Sequence, residues 1–231
     1  MKKMILSAAL VLASTAAMAQ SGTFQLKANL KNMGDTIIVY KGRGEKRDTI
    51  LVKKDKFTYS ATLTQPKEMM FAQPAIFRGG RAEAFYLVCV PGETAEVVGD
   101  LKAKFDIKGS NFYKQFAEVD AMKDEADKEL ADFEKSINEK MKNGGDREAL
   151  MKEYEEKAPA LTKVKEEKML AFIGQHPDYE ASATLIGEMS SCENMQKAVD
   201  MLSAQVKNGR MKAFYEPIVE RAKKQAEMEE K

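Results

Sequence analysis

Two cysteines, one histidine and many carboxylates are the residues of this chain that could do chemistry. Cys192 follows Ser190-Ser191 at the start of an expected helix. A helix N-terminus lowers a thiol pKa and favours the thiolate, the form that attacks disulfides. Cys192 is therefore the thiol candidate, suited to a mixed disulfide with a redox partner. The competing reading is a partly buried cysteine that behaves as a small hydrophobe. Cys89 alternates with Phe85 and Leu87 on one strand face and reads as core. A Cys89–Cys192 bond would close a loop of about 100 residues, worth about 4.7 kcal/mol in the chain-entropy account. It needs the strand face to meet the helix start, and no pattern brings them together.

The other groups form no reactive set. His176, the only histidine, has no partner for a triad or a zinc site and stands at a pre-proline turn. The carboxylates fall in charge runs on helix faces, without a pair set apart for acid–base work. Met189, Met195 and Met201 are six apart, a spacing that does not stack thioethers on one helix face. They read as core filler and not as a copper site. "GRGEKR" and "FRGGRAE" are glycine-rich and basic, but neither matches a phosphate loop, and both read as hairpin turns. No catalytic residue, cofactor or metal ligand is expected.

The chain opens with "MKKMILSAALVLASTAAMA". Lys2 and Lys3, the apolar run Met4 to Ala13 and the Ala17-Met18-Ala19 site make a secretory signal, cleaved between Ala19 and Gln20. Gln20 in place of a cysteine argues against a lipoprotein anchor. Periplasmic localisation follows, in soluble form, because no later apolar run is long enough to span a bilayer. Cleavage removes two of the 37 basic residues, leaving 35 against 36 acidic. Near-neutral charge argues against a nucleic-acid partner, which would call for a basic stripe. At 44% hydrophobic, the chain can bury a core without disulfide staples.

Two periods divide the mature chain. Residues 20–109 alternate, with turn punctuation. Phe24, Leu26, Ala28 and Leu30 share one strand face, as do Phe57, Tyr59, Ala61 and Leu63. "EAFYLVCV", the turn "PGE" and "TAEVVG" read as a hairpin, and Pro74 makes the extended segment "MMFAQPAIF" an edge strand, a bulge or a break. Seven or eight short strands predict an antiparallel sandwich or barrel-like sheet. From Ser110 onward, Phe112, Phe116, Val119, Ala126, Leu130, Phe133, Ile137 and Met141 recur at helical steps. Ser110 is the expected N-cap. "NGGD" ends this helix, Asp146 caps the next, and Pro159 predicts a kink or a split. The region 110–175 is thus a long antiparallel, coiled-coil-like hairpin with charged outer faces. Shorter helices fill 178–230. Ser190 with Glu193 fits a capping box opening "ENMQKAVDMLSAQV", which "NGR" closes. The fold class is α+β, with a β domain at 20–109 and a helical domain at 110–231.

The order of these features resembles the accessory region that precedes the thioredoxin-like domain in periplasmic thiol-disulfide interchange proteins of Gram-negative bacteria. The stretches that carry the likeness are "FQLKANL", "GDTIIVY", "DTILVKKDKFTYSATL", "FYLVCVPGETAEVVGD" and "FDIKGSNFYKQF". In the helical half they are "FIGQHPDYEASATLI" and "AVDMLSAQVKNGRMKAFYEPI". The resemblance implies a β domain of unknown function followed by helices. It implies a link to cell redox homeostasis only through a thioredoxin domain carrying Trp-Cys-x-x-Cys. This chain has no Trp and no such cysteine pair, so redox activity does not carry over. Its last residues, "ERAKKQAEMEEK", read as the connecting helix to such a domain.

The leading expectation is a non-enzymatic periplasmic binding or interaction module whose helical hairpin docks a protein partner. The alternative is a fragment or partner of a thioredoxin-like disulfide oxidoreductase. A third is a holdase-like periplasmic chaperone, prompted by the methionine content and the coiled hairpin.

Overall fold

The computed structural model describes residues 21–229. The expected signal segment, with its cleavage between Ala19 and Gln20, lies outside the described residues. The architecture is α+β: strands in two sheets, then a helical half, with no closed barrel.

Among the described residues eight strands build the first half. They are β1 (Gly22–Lys31), β2 (Thr36–Tyr40), β3 (Asp48–Leu51), β4 (Lys56–Leu63), β5 (Lys67–Ala72), β6 (Ala84–Cys89), β7 (Thr94–Asp100) and β8 (Phe105–Gly109). One sheet has the order β4-β1-β7-β8 and the other β3-β2-β5-β6. Neighbours are antiparallel except β1 and β7, which run parallel with Leu26 opposite Ala95. The alternating faces meet between the sheets. The Phe71 ring lies 6.3 Å from Phe57 and 5.0 Å from Phe85, and Phe85 lies 5.8 Å from Phe105. That aromatic row crosses from β4 through β5 and β6 to β8, tying the sheets together.

The expected β6–β7 hairpin is not formed. β6 and β7 belong to opposite sheets, and the link at Val90-Pro91 is buried as it crosses between them. Alternation puts Phe85, Leu87 and Cys89 on one inner face and Ala95 and Val97 on the other, so each strand fills its own side of the core. Of the outcomes open to "MMFAQPAIF" at its proline, the structure shows a break: β5 ends at Ala72, and Pro74–Arg78 is a 3-10 helix. "FRGGRAE" begins inside that helix, at Phe77 and Arg78, and runs on towards β6; it is no tight hairpin turn. "GRGEKR" does join β2 to β3, and its Arg47 lies 4.1 Å over the Phe77 ring.

The helical half opens with α1 (Asn111–Lys142) and α2 (Arg147–Gln175), the long antiparallel hairpin. Phe112, Val119, Ala126 and Ile137 of the expected stripe are buried, and α1 rests on both α2 and β8. Asp146 caps α2 by accepting the Glu148 and Ala149 amides at 3.0 and 3.4 Å. Pro159 neither splits nor ends α2, which runs unbroken through it. Pro159 and Glu155 are both exposed, so water can reach the carbonyl that loses its amide partner.

A 3-10 segment (Glu180–Glu188) then packs under α1, followed by α3 (Cys192–Met201), α4 (Ala204–Lys207) and α5 (Lys212–Glu229). The expected helix "ENMQKAVDMLSAQV" is two helices, because Ser203 starts a new one by accepting the Val206 amide. The capping residue of α3 is Ser191 and not Ser190; its hydroxyl accepts the Asn194 amide at 3.1 Å. The buried Glu166 carboxylate takes the Ser190 amide and the Asn194 side chain, which moves the helix start one residue on.

Candidate functional site

The two thiols are far apart in character. Cys89 is fully buried in the sandwich, and burial pushes its thiol well above the ordinary range. Cys192 opens α3 and is partly exposed. Both are free, so the Cys89–Cys192 bond is not formed. His176 ends α2 between the Phe172 and Tyr179 rings, 4.5 and 4.6 Å from their centroids, which fits the turn reading. Met189 and Met195 are buried in the core and Met201 packs against it. Among the described residues no three His, Cys, Asp or Glu side chains cluster as metal ligands.

The two halves are joined by a junction that no local pattern announces. Ser110 occupies the N-cap position of α1, but its hydroxyl does not cap the helix. It donates to the Glu93 carboxylate and accepts the Thr94 amide at 2.9 Å. The same Glu93 carboxylate receives the Phe112 amide, so the expected cap comes from a side chain in the β half. Gly109 makes this approach possible. Its φ is 151°, and a Cβ there would lie 2.0 Å from the Thr94 carbonyl oxygen.

Arg210 completes the junction. Its guanidinium donates to Glu93 at 2.6 Å, to Glu180 at 2.6 Å and to the Pro91 carbonyl at 3.0 Å. Burial alone would raise the Glu93 carboxyl, but the Ser110 and Arg210 hydrogen bonds outweigh it and hold it below the usual range. Tyr113 adds a bond from its hydroxyl to the Val88 carbonyl at 2.7 Å.

An open groove of about 710 Å³ runs between the β-sandwich and the helices. β6 and β8, each at one edge of its sheet, form one side through Tyr86 and Phe105 over buried Val88 and Ile107. α1 forms the facing side through Phe116, Asp120, Lys123 and Asp124. Phe214, Thr184 and Glu188 of the later helical elements complete the lining. Tyr86 is 59% exposed, a large ring left beside the opening.

The charges of the groove divide into used and unused. Lys123 pairs with Glu188 at 2.5 Å and Lys104 with Asp124 at 3.5 Å. Glu68 of β5 and Asp120 of α1 have no hydrogen bond or ion pair among the described residues. Loss of water, and then the Asp124 charge, hold the Asp120 carboxyl above the usual carboxylate range. Glu68 stays open to solvent, yet protein atoms crowd it; that crowding and the Glu188 charge push its carboxyl up too. Such an arrangement can hold an apolar group against the rings and a cation against the free carboxylates.

Cys192, the thiol candidate of the sequence, lies outside this groove. The groove residues were hidden among charge runs and strand alternation. One signal was present: Asp120 follows Phe116 by four residues, so it lies along the apolar side of α1. Glu93 and Arg210 gave none, since they meet across 117 residues of chain.

No known protein family, curated protein or solved structure matches this chain. Among the described residues no helix is long and apolar enough to cross a membrane.

Proposed function

We propose that the protein is a non-enzymatic binding module of the periplasm, related to the accessory region of thiol-disulfide interchange proteins. The observation that carries the reading is the groove between the halves. Ligand sites favour the clefts between packed units, where two rigid walls can be set against one another. Here a sandwich edge and a long helix supply those walls, and they leave aromatic rings and unpaired carboxylates facing the opening. α1 is one arm of the hairpin, so a partner seated in the groove also touches the base of that hairpin. The signal-like opening of the sequence supports a periplasmic location.

Photo-crosslinking in the native host tests this. A photoreactive residue at Tyr86 is expected to capture a discrete partner, and the same residue at Ser60, on the outer face of β4, is not. Equal capture at both positions, or none at Tyr86, would overturn the reading. The alternative, a partner of a disulfide oxidoreductase, draws on the partly exposed Cys192. It expects a mixed disulfide that disappears in Cys192→Ser.

A further inference from the structure

This inference rests on the groove being the binding site and concerns what it binds. We propose that the groove takes a polypeptide segment in which a lysine or arginine stands beside apolar side chains.

Charge complementarity is the first argument. Four carboxylates line the groove, from Glu68, Asp120, Asp124 and Glu188, against two lysines, Lys104 and Lys123. Both lysines are already paired, with Asp124 and Glu188. Two carboxylates on different elements, Glu68 on β5 and Asp120 on α1, therefore lack a counter-charge of their own and feel only lysines already paired elsewhere. A cation entering between the β and α walls would supply it. An anionic ligand would add repulsion to both.

The lining narrows the cation further. Carboxylates spread among rings do not make a metal cage, which needs oxygens converging on one point. They do suit an ammonium or guanidinium, which can also lie against the faces of Tyr86, Phe105, Phe116 and Phe214. The partly exposed Phe105, Phe116 and Phe214, over a floor of buried Val88 and Ile107, offer apolar surface that a bare polyamine leaves uncovered. A polypeptide brings the cation and the apolar neighbours together, and a volume of about 710 Å³ admits a few side chains.

The test uses the mature chain and short capped peptides, read by amide chemical shifts and titration calorimetry. The probes are a Lys/Phe-containing peptide, its Glu/Phe counterpart, a neutral Gln/Phe peptide and spermidine. The Lys/Phe peptide should bind and shift amides of β6, β8 and the first turns of α1. Glu68→Gln with Asp120→Asn should weaken it about tenfold or more, with Ser60→Glu as a control that does not. The variant's circular dichroism and melting reveal whether it remains folded. Equal binding of the Glu/Phe or Gln/Phe peptide, or no effect of the double substitution, overturns the charge inference while the groove reading stands. Spermidine binding as well as the peptide overturns the polypeptide assignment. If no probe moves a groove amide and Tyr86 captures no partner in the cell, the groove reading fails as well.

Discussion

Arg210 meets Glu93 at 2.6 Å across 117 residues of chain, closing the last part of the helical half onto the β-sandwich. The Glu93 side chain is 11% exposed, so removing the guanidinium leaves a nearly buried carboxylate uncompensated. Arg210→Ala should cost about 2 kcal/mol or more in denaturant unfolding, below the full value for a buried pair because Arg210 itself is partly exposed. Arg210→Lys should recover only part, since an ammonium cannot reproduce the fork that serves Glu93, Glu180 and Pro91 together. A loss below about 0.5 kcal/mol would mean that the pair acts as an ordinary surface bridge.

Glu93 also sets an acid limit. Its folded pKa lies below the unfolded one, so its contribution is complete above the unfolded value of about 4.3. It is lost as pH falls through the folded pKa. Stability curves should therefore drop in that acid window, and Glu93→Gln should start lower at neutral pH and fall less. Parallel curves for the two proteins would refute this.

Asp120 works in the opposite sense. Its folded pKa is raised, so ionisation at neutral pH costs stability that protonation restores as pH falls. Asp120→Asn should raise Tm at neutral pH, by a gain of about 0.5 kcal/mol, and the gain should shrink towards acid. The same substitution should weaken ligand binding. Stability gained where binding is lost would mark Asp120 as a residue kept for function. A lowered Tm at neutral pH would contradict the account.

The two thiols should separate in labelling. Native protein should react with a thiol reagent once, at Cys192, and a second time only on unfolding, because Cys89 is sealed between the sheets. Cys89→Ser should cost about 1–3 kcal/mol by placing a hydroxyl in that apolar site. Cys192→Ser should be nearly silent in melting experiments. Fast labelling of both thiols in the native state would show that the sandwich opens.

Much of this architecture can be read in local patterns. Alternation at Phe24–Leu30 and at Phe57–Leu63 marks strands, and the change of period at Ser110 marks where helices begin. What alternation cannot say is which sheet a strand joins, so "EAFYLVCV" and "TAEVVG" look like a hairpin and yet lie in opposite sheets. Capping shows the same limit. Asp146 caps its own helix, whereas α1 takes its cap from Glu93 across the junction and leaves Ser110 to bind that carboxylate. The groove was hidden for a related reason. Asp120 looks like a member of a solvated charge run and Glu68 like an outward residue of a strand, and only the packing of α1 over the sandwich edge sets both in one groove.

The most direct test of the groove as the working surface is hydrogen exchange of the protein, alone and with the protein extract of its native host. Exchange should slow in β6, β8 and the first turns of α1, with the far end of the hairpin around residues 137–150 unchanged. Protection confined to that far end, or no protection anywhere, would contradict it.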